Sequence, residues 1–242
     1  MFWRKQRATA VAPQPDFSKG LLLDAVSVSY ADKPVFGPVS LRLRESSIGL
    51  VGHNGCGKST MLRLLAALQP ADQGQVYAFG LNAQDYGDWW PHWVGVVFQN
   101  ADHQLIFPTV EEELAFGLQQ LQRDDANQQA SALLHQTGRE HWANRRVHEL
   151  SGGEKQWLCW QAILLMQPRL LLLDEPYSGL DLRQKIQARR TLQDTTQQHI
   201  IASHDPGHLQ HCERILWLEE GQIKQDGSPE AVLPQYLEDC GA

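Results

Sequence analysis

From Leu21 onward the apolar positions follow two periods in turn, and their alternation predicts the elements. LLLDAVSVSY (21–30) and PVSLRLR (38–44) put apolar residues at every second position and bracket the turn signal ADKP, as an antiparallel strand pair does. SIGLVG (47–52) is a short apolar run entering glycines, which predicts a buried strand. KSTMLRLLAALQ (58–69) has helical spacing and stops at Pro70. GQVYAFG (74–80) and WVGVVFQ (93–99) read as strands. Between Val110 and Met166 helical spacing dominates, and the glutamines around 119–136 form one polar face with leucines and alanines interleaved. RLLLLDEP (169–176) and HIIASHD (199–205) are short apolar strands ending in polar residues, and RILWLEEGQIKQDG (214–227) is a terminal hairpin-like pair. Strands alternating with helices predict an α/β sheet that binds ligands at the carboxyl ends of its strands, with a helical insertion in the middle.

Composition narrows the class. The chain has 242 residues, 42% hydrophobic and 20% charged, the balance of a globular domain with a sizeable core. Its longest apolar stretches, LLLL (170–173) and AILLM (162–166), fall far short of the roughly 18–20 residues a membrane span needs, so any crossing of a membrane falls to other chains. A net charge of −7, from 21 basic and 28 acidic residues, argues against a general nucleic-acid binder. Cys56, Cys159, Cys212 and Cys240 are widely separated, which suggests neither zinc ligation nor a disulfide framework, and a reducing compartment. Residues 1–20 lack a secretory apolar run and are expected to be a poorly ordered leader. That leader is either solvated or touches a membrane through Phe2 and Trp3. Residues 21–242 then form one domain.

The candidate chemistry starts at GHNGCGKST, which fits G-x-x-x-x-G-K-[ST] between a strand and a helix. Glycines let successive N–H groups turn toward one anion, and the helix presents its positive end to the same point. Gly52, Asn54, Gly55, Cys56, Gly57, Lys58, Ser59 and Thr60 are therefore expected to cradle nucleotide phosphates. Lys58 supplies charge to the β and γ phosphates, and the Ser59 hydroxyl a ligand for Mg²⁺. Asp174 ends a buried strand, where it can hold Mg²⁺ directly or through water. Glu175 follows, pointing the other way along the pleat as a general base toward the water that attacks the γ phosphate. The Cys56 thiol, near a helix start and Lys58, is either reactive in the nucleotide-free site or a small buried group.

ELSGGEKQ (149–156) lies between these motifs. GHNGCGKST, LSGGEKQ, LLLLDEP with SGLD, and SHD, in this order, resemble the nucleotide-binding subunits of ATP-binding-cassette (ABC) transporters, from Leu21 almost to the end. The resemblance implies an α/β P-loop NTPase with a RecA-like core, an antiparallel β subdomain and an inserted helical subdomain at about 100–168. It implies that Tyr30 stacks on adenine, and that Gln99 is a Q-loop glutamine which senses the γ phosphate or the metal. It further implies that Ser151, Gly152, Gly153 and Glu154 form the signature facing ATP on a second subunit, that Asp181 lies in the D-loop, and that His204 is the switch histidine. The implied dimer is made of two ATPase chains, identical or paralogous. Trp157 departs from the pattern, standing where the family frequently carries Arg, and so removes a positive charge.

FQNADHQLIFPTVEEELAFG (98–117) resembles the corresponding segment of energy-coupling factor (ECF) ATPases, which power vitamin and transition-metal-ion uptake. That resemblance implies a peripheral subunit at the cytoplasmic face of the cell membrane, partnered by a transmembrane T subunit and a solute-binding S subunit. Leu105, Ile106 and Phe107 are either an exposed anchor for a T-subunit helix or part of the helical core. The ESSIGLVG segment, read as a compact hairpin, looks most like the biotin-type ATPase, with the cobalt/nickel type as its competitor. Another ABC importer, or a non-transport ABC protein of iron–sulfur assembly or DNA repair, is the alternative.

Overall fold

The computed structural model describes residues 12–31 and 33–241. Along the chain come β1 (Leu21–Tyr30), β2 (Lys33–Leu43), β3 (Ser47–Val51), α1 (Lys58–Leu65), β4 (Gln73–Ala78), β5 (Leu81–Asn82) and β6 (Val94–Val97). The helices α2 (Val110–Gln120), α3 (Ala126–Gln136) and α4 (Gly152–Leu165) follow. After them come β7 (Leu170–Asp174), α5 (Leu182–Gln193), β8 (Gln198–Ala202), β9 (Arg214–Glu219), β10 (Gln222–Gly227) and α6 (Pro229–Asp239). Much of the 1–20 segment lies outside the described residues. Its end, Phe17–Lys19, forms a 3₁₀ turn capped by Asp16, with Phe17 edge-on to Phe79 at 5.0 Å.

Two sheets divide the molecule. One is antiparallel, in the order β2-β1-β4-β5; the other has six strands in the order β10-β9-β3-β8-β7-β6 and is parallel except for the β10–β9 hairpin. The expected pairing of the first two strands is present, with Leu23 opposite Leu41, but β2 already starts at Lys33, inside the supposed turn signal. The ESSIGLVG segment is not a hairpin. β3 lies in the parallel sheet between β8 and β9, whereas β2 belongs to the other sheet.

Burial explains the composition of the strands. β7 is a run of leucines because both of its faces are covered. Leu170 and Leu172 face the core shared with α1 and the antiparallel sheet, while Leu171 and Leu173 face Trp160, Ile201 and Trp217. Each such leucine contributes roughly 1.5–3 kcal/mol on burial. A third cluster, with Leu114, Leu118, Leu134 and Leu158, is the core of the helical insertion and joins α2, α3 and α4. Reciprocal capping boxes start α2 (Thr109 with Glu112), α4 (Ser151 with Glu154) and α5 (Asp181 with Gln184). Among the described residues no helix is long and apolar enough to cross a membrane.

Candidate active site

β3 delivers the chain into Gly52–Gly57 at the carboxyl edge of the parallel sheet, and α1 leaves from it. Gly52, Gly55 and Gly57 have φ of 149°, 81° and 108°, values that side chains rarely adopt. A Cβ on Gly52 would also strike the Leu218 carbonyl. Gly57 caps α1 without a side chain, and the N–H groups of Gly55, Gly57, Lys58 and Ser59 make no hydrogen bond among the described residues. An array of free donors at a helix start fits a phosphate. Lys58 is buried and folded back over this loop, its Nζ donating to the carbonyls of Gly52 (2.6 Å) and His53 (3.1 Å). Cys56 is 6% exposed, so its thiol belongs to the core and not to a reactive surface. On the outer side of the loop, His53 sits 3.8 Å from Asp239 and 6.0 Å from the ring of Tyr236, both on α6.

Two strands away, β7 ends at Asp174. Burial, then the neighbouring Glu175 charge, raise its pKa above the usual carboxylate value, while a hydrogen bond from Ser59 and the charges of Lys58 and Arg63 oppose that rise. A desolvated carboxyl touching a serine hydroxyl is a hard-oxygen pair that fits a divalent cation. Glu175 turns elsewhere. Its Oε1 accepts from the N–H and the Nδ1–H of His204, both at 2.9 Å, and its Oε2 faces the Ser203 hydroxyl at 3.4 Å. Its φ of 48° is left-handed, a strain of the order of 1–3 kcal/mol for a residue with a side chain.

A cavity of about 820 Å³ brings together Ser59, Gln99, Asp174 and, from the helical insertion, Gly152 and Gln156. Ser151 caps α4 with its hydroxyl on the Glu154 N–H (3.3 Å). Both Glu154 oxygens are engaged: Arg145 donates to them at 2.8 and 3.3 Å, and the Ser151 N–H donates at 2.7 Å. Glu154 thus holds the cap of α4 together, and these bonds leave its carboxylate spoken for within the helical insertion. Asp181 caps α5, whose Gln184 side chain lies against Gly153 so closely that a Cβ there would have to displace it. The charge missing at Trp157 is resupplied from space, because the Arg139 guanidinium stacks 4.5 Å from the Trp157 ring. Tyr30 is 50% exposed at the end of β1, with its hydroxyl donating to Gln69. Of the apolar trio after Gln99 only Ile106 is open, 67% exposed. Leu105 packs on the helical core and Phe107 on Phe116.

Several supporting residues escape a reading of the sequence. Gln104 closes the turn around Gln99 by accepting from Phe98 N–H (3.1 Å) and donating to Val96 O (3.3 Å). Lys155 pairs with Asp102 at 2.6 Å and fastens that turn to α4. Glu113, buried in α2, accepts from the N–H groups of Ile106 and Phe107. Ser203 and His208 stand behind Glu175. Only the S/T-x-x-E pattern of the caps announces itself in the sequence; these other pairings join residues that folding alone brings together.

A glycine-rich loop closing on a lysine between a parallel strand and a helix, with a carboxylate ending a nearby strand of the same sheet, defines a P-loop nucleotide-binding fold. The ABC transporter family model matches residues 36–178, and the chain belongs to that family. The biotin transport ATP-binding protein of Rhodobacter capsulatus is 42% identical over 205 residues, covering 84% of this chain and 88% of that protein. An energy-coupling factor transporter ATP-binding protein of Halalkalibacterium halodurans is 33% identical over 224 residues, covering 88% and 81%. The fold matches that of cbiO1 from Clostridium perfringens, part of the ABC transporter complex cbiONQ, with a TM-score of 0.73 at 23% identity, covering 92% of each chain.

Proposed function

We propose that the chain is the ATP-hydrolysing subunit of an ECF-type importer and works at the cytoplasmic face of the membrane through partner subunits. The observation that carries this reading is the arrangement at the carboxyl edge of the parallel sheet: free N–H donors and Lys58 on the loop, Ser59 beside Asp174, and Glu175 held by His204. Ser59 and Asp174, with Gln99 on the same cavity, are the residues that would hold Mg²⁺. When bound, the ion would neutralise charge on the β and γ phosphates. Lys58 and His204 stabilise phosphate charge, and the Glu175 carboxylate orients a water and takes its proton. Tyr30, exposed at the end of β1, offers its ring to adenine. Ser151, Gly152 and Gly153 supply small residues and helix-start N–H groups to ATP on a second ATPase chain, with Asp181 beside them. Closure of the two chains moves the helical insertions, and with them a T-subunit helix docked near Ile106. The similarity to a biotin transport protein favours biotin as the solute carried by the S subunit, with cobalt or nickel as the competitor.

The test is Glu175→Gln. It should keep ATP binding, while turnover falls by about 10²–10⁴, the scale for losing a general base. Turnover close to that of the unmodified chain would remove Glu175 from this role.

A further inference from the structure

The Ser203 hydroxyl stands between two acceptors. Ser203 is fully buried, and its Oγ lies 3.0 Å from His208 Nδ1 and 3.4 Å from Glu175 Oε2, while the Asp205 N–H donates to it at 3.1 Å. On the far side of the ring, His208 Nε2 is 3.3 Å from Asp205 Oδ2. A hydroxyl has one proton to give, so it serves either His208 or Glu175. With Nε2 protonated toward Asp205, Nδ1 offers a lone pair and takes the Ser203 proton over the shorter distance. Glu175 Oε1 already takes the two donors of His204, so a water falls to Oε2, which keeps its full basicity when the Ser203 proton goes to His208. With the ring doubly protonated, Nδ1–H donates to Ser203 Oγ, and the hydroxyl turns to Oε2. The order Asp205–His208–Ser203 is that of a nucleophilic triad, but a fully buried serine meets no substrate.

We propose that His208 is a positioning residue: held as its Nε2–H tautomer by Asp205, it draws the Ser203 proton away from Glu175 and leaves Oε2 its full basicity toward the attacking water. The inference rests on the reading of Glu175 as the base. The groups facing His208 are Asp205 on its own turn, Arg189 and Lys185 on α5, Glu175 beyond β7, and the Tyr177 ring at 4.6 Å. His199, His211 and Cys212 share a cavity of about 330 Å³ with it. Burial first, then the two α5 cations, hold the imidazole below its ordinary value against the pull of Asp205 and Glu175. The neutral ring therefore prevails at neutral pH, and the hydroxyl swings to Glu175 only as pH falls.

The experiment measures kcat and KM for ATP across about pH 4.5–9 on the full chain, with H208L, S203A, the double variant and E175Q. In H208L the hydroxyl has only Glu175 left to serve, so kcat should drop about tenfold with KM within about twofold. In S203A the acid limb of kcat should move down by about one pH unit. The double variant should recover the rate of S203A, which a purely structural role for His208 would not allow. A double variant as slow as H208L, or an S203A acid limb in its original place, overturns the inference. If H208L fails to bind a fluorescent nucleotide, the S203A profile decides alone. Full turnover in E175Q would instead overturn the reading of the base, so the two failures remain distinct.

Discussion

Cys56 shows how much a thiol's surroundings outweigh its sequence context. Flanked by glycines and near Lys58, it has the neighbours of a reactive cysteine, yet its side chain fills the space behind Gly52. Cys159 and Cys212 are buried as well, and burial pushes each thiol up to about 12. Cys240 is exposed. Alkylation of the folded chain should therefore modify Cys240 and spare the other three, with or without MgATP, as peptide mass spectrometry will register. Modification of Cys56 in the nucleotide-free protein would contradict its placement. Trp157 makes the same point from the other side: its sequence signals a lost cation, and the fold restores one through Arg139.

Among the elements, α2 is fastened to the turn before it by one buried carboxylate. Glu113 Oε2 accepts at 2.9 and 2.8 Å from the N–H groups of Ile106 and Phe107, and so presents Ile106 to solvent. Glu113→Ala should destabilise the chain by about 2–4 kcal/mol in urea unfolding, since two part-buried donors lose their acceptor. Burial raises the Glu113 pKa, and the two N–H bonds oppose that rise without cancelling it. A carboxyl with a raised folded pKa contributes stability that is complete below its unfolded value and lost as pH rises through the folded one. The stability of Glu113→Gln relative to the unmodified chain should accordingly improve between about pH 4 and pH 7. A constant difference across that range would show that Glu113 does not titrate with folding. The elements themselves differ in how far the sequence declares them. β3 and β7 are legible as apolar runs because the sheet is covered on both faces. α6 carries a start signal, Ser228 before Pro229, but its apolar residues are too few to stand out until they meet Trp217. The glycine loop, Asp174 and Glu175 are legible from local spacing. The partners of Glu175 are not, because β7 and β8 bring together residues 28 and 29 positions apart.

Across the whole molecule, Arg214 joins the sheets. From β9 it reaches the Asp226 carboxylate on β10 at 2.6 Å, Glu45 at 3.0 Å, and the carbonyl of Arg42 on β2 at 2.9 Å. These partners raise its pKa, led by the Asp226 hydrogen bond, so it stays charged under all ordinary conditions. The group is part-exposed, which places Arg214→Met between a surface pair and a buried one, at about 1–3 kcal/mol of lost stability. Calorimetry at low and high salt will test it, and unchanged unfolding in both would leave the sheets joined by packing alone. The left-handed backbone at Glu175 has a different consequence, one for selection experiments. Glycine or asparagine occupies such a conformation with less strain, so a library screened only for heat tolerance should accumulate Glu175→Gly or Glu175→Asn. Under the role proposed for Glu175, its hardiest survivors would be the ones that have stopped consuming ATP.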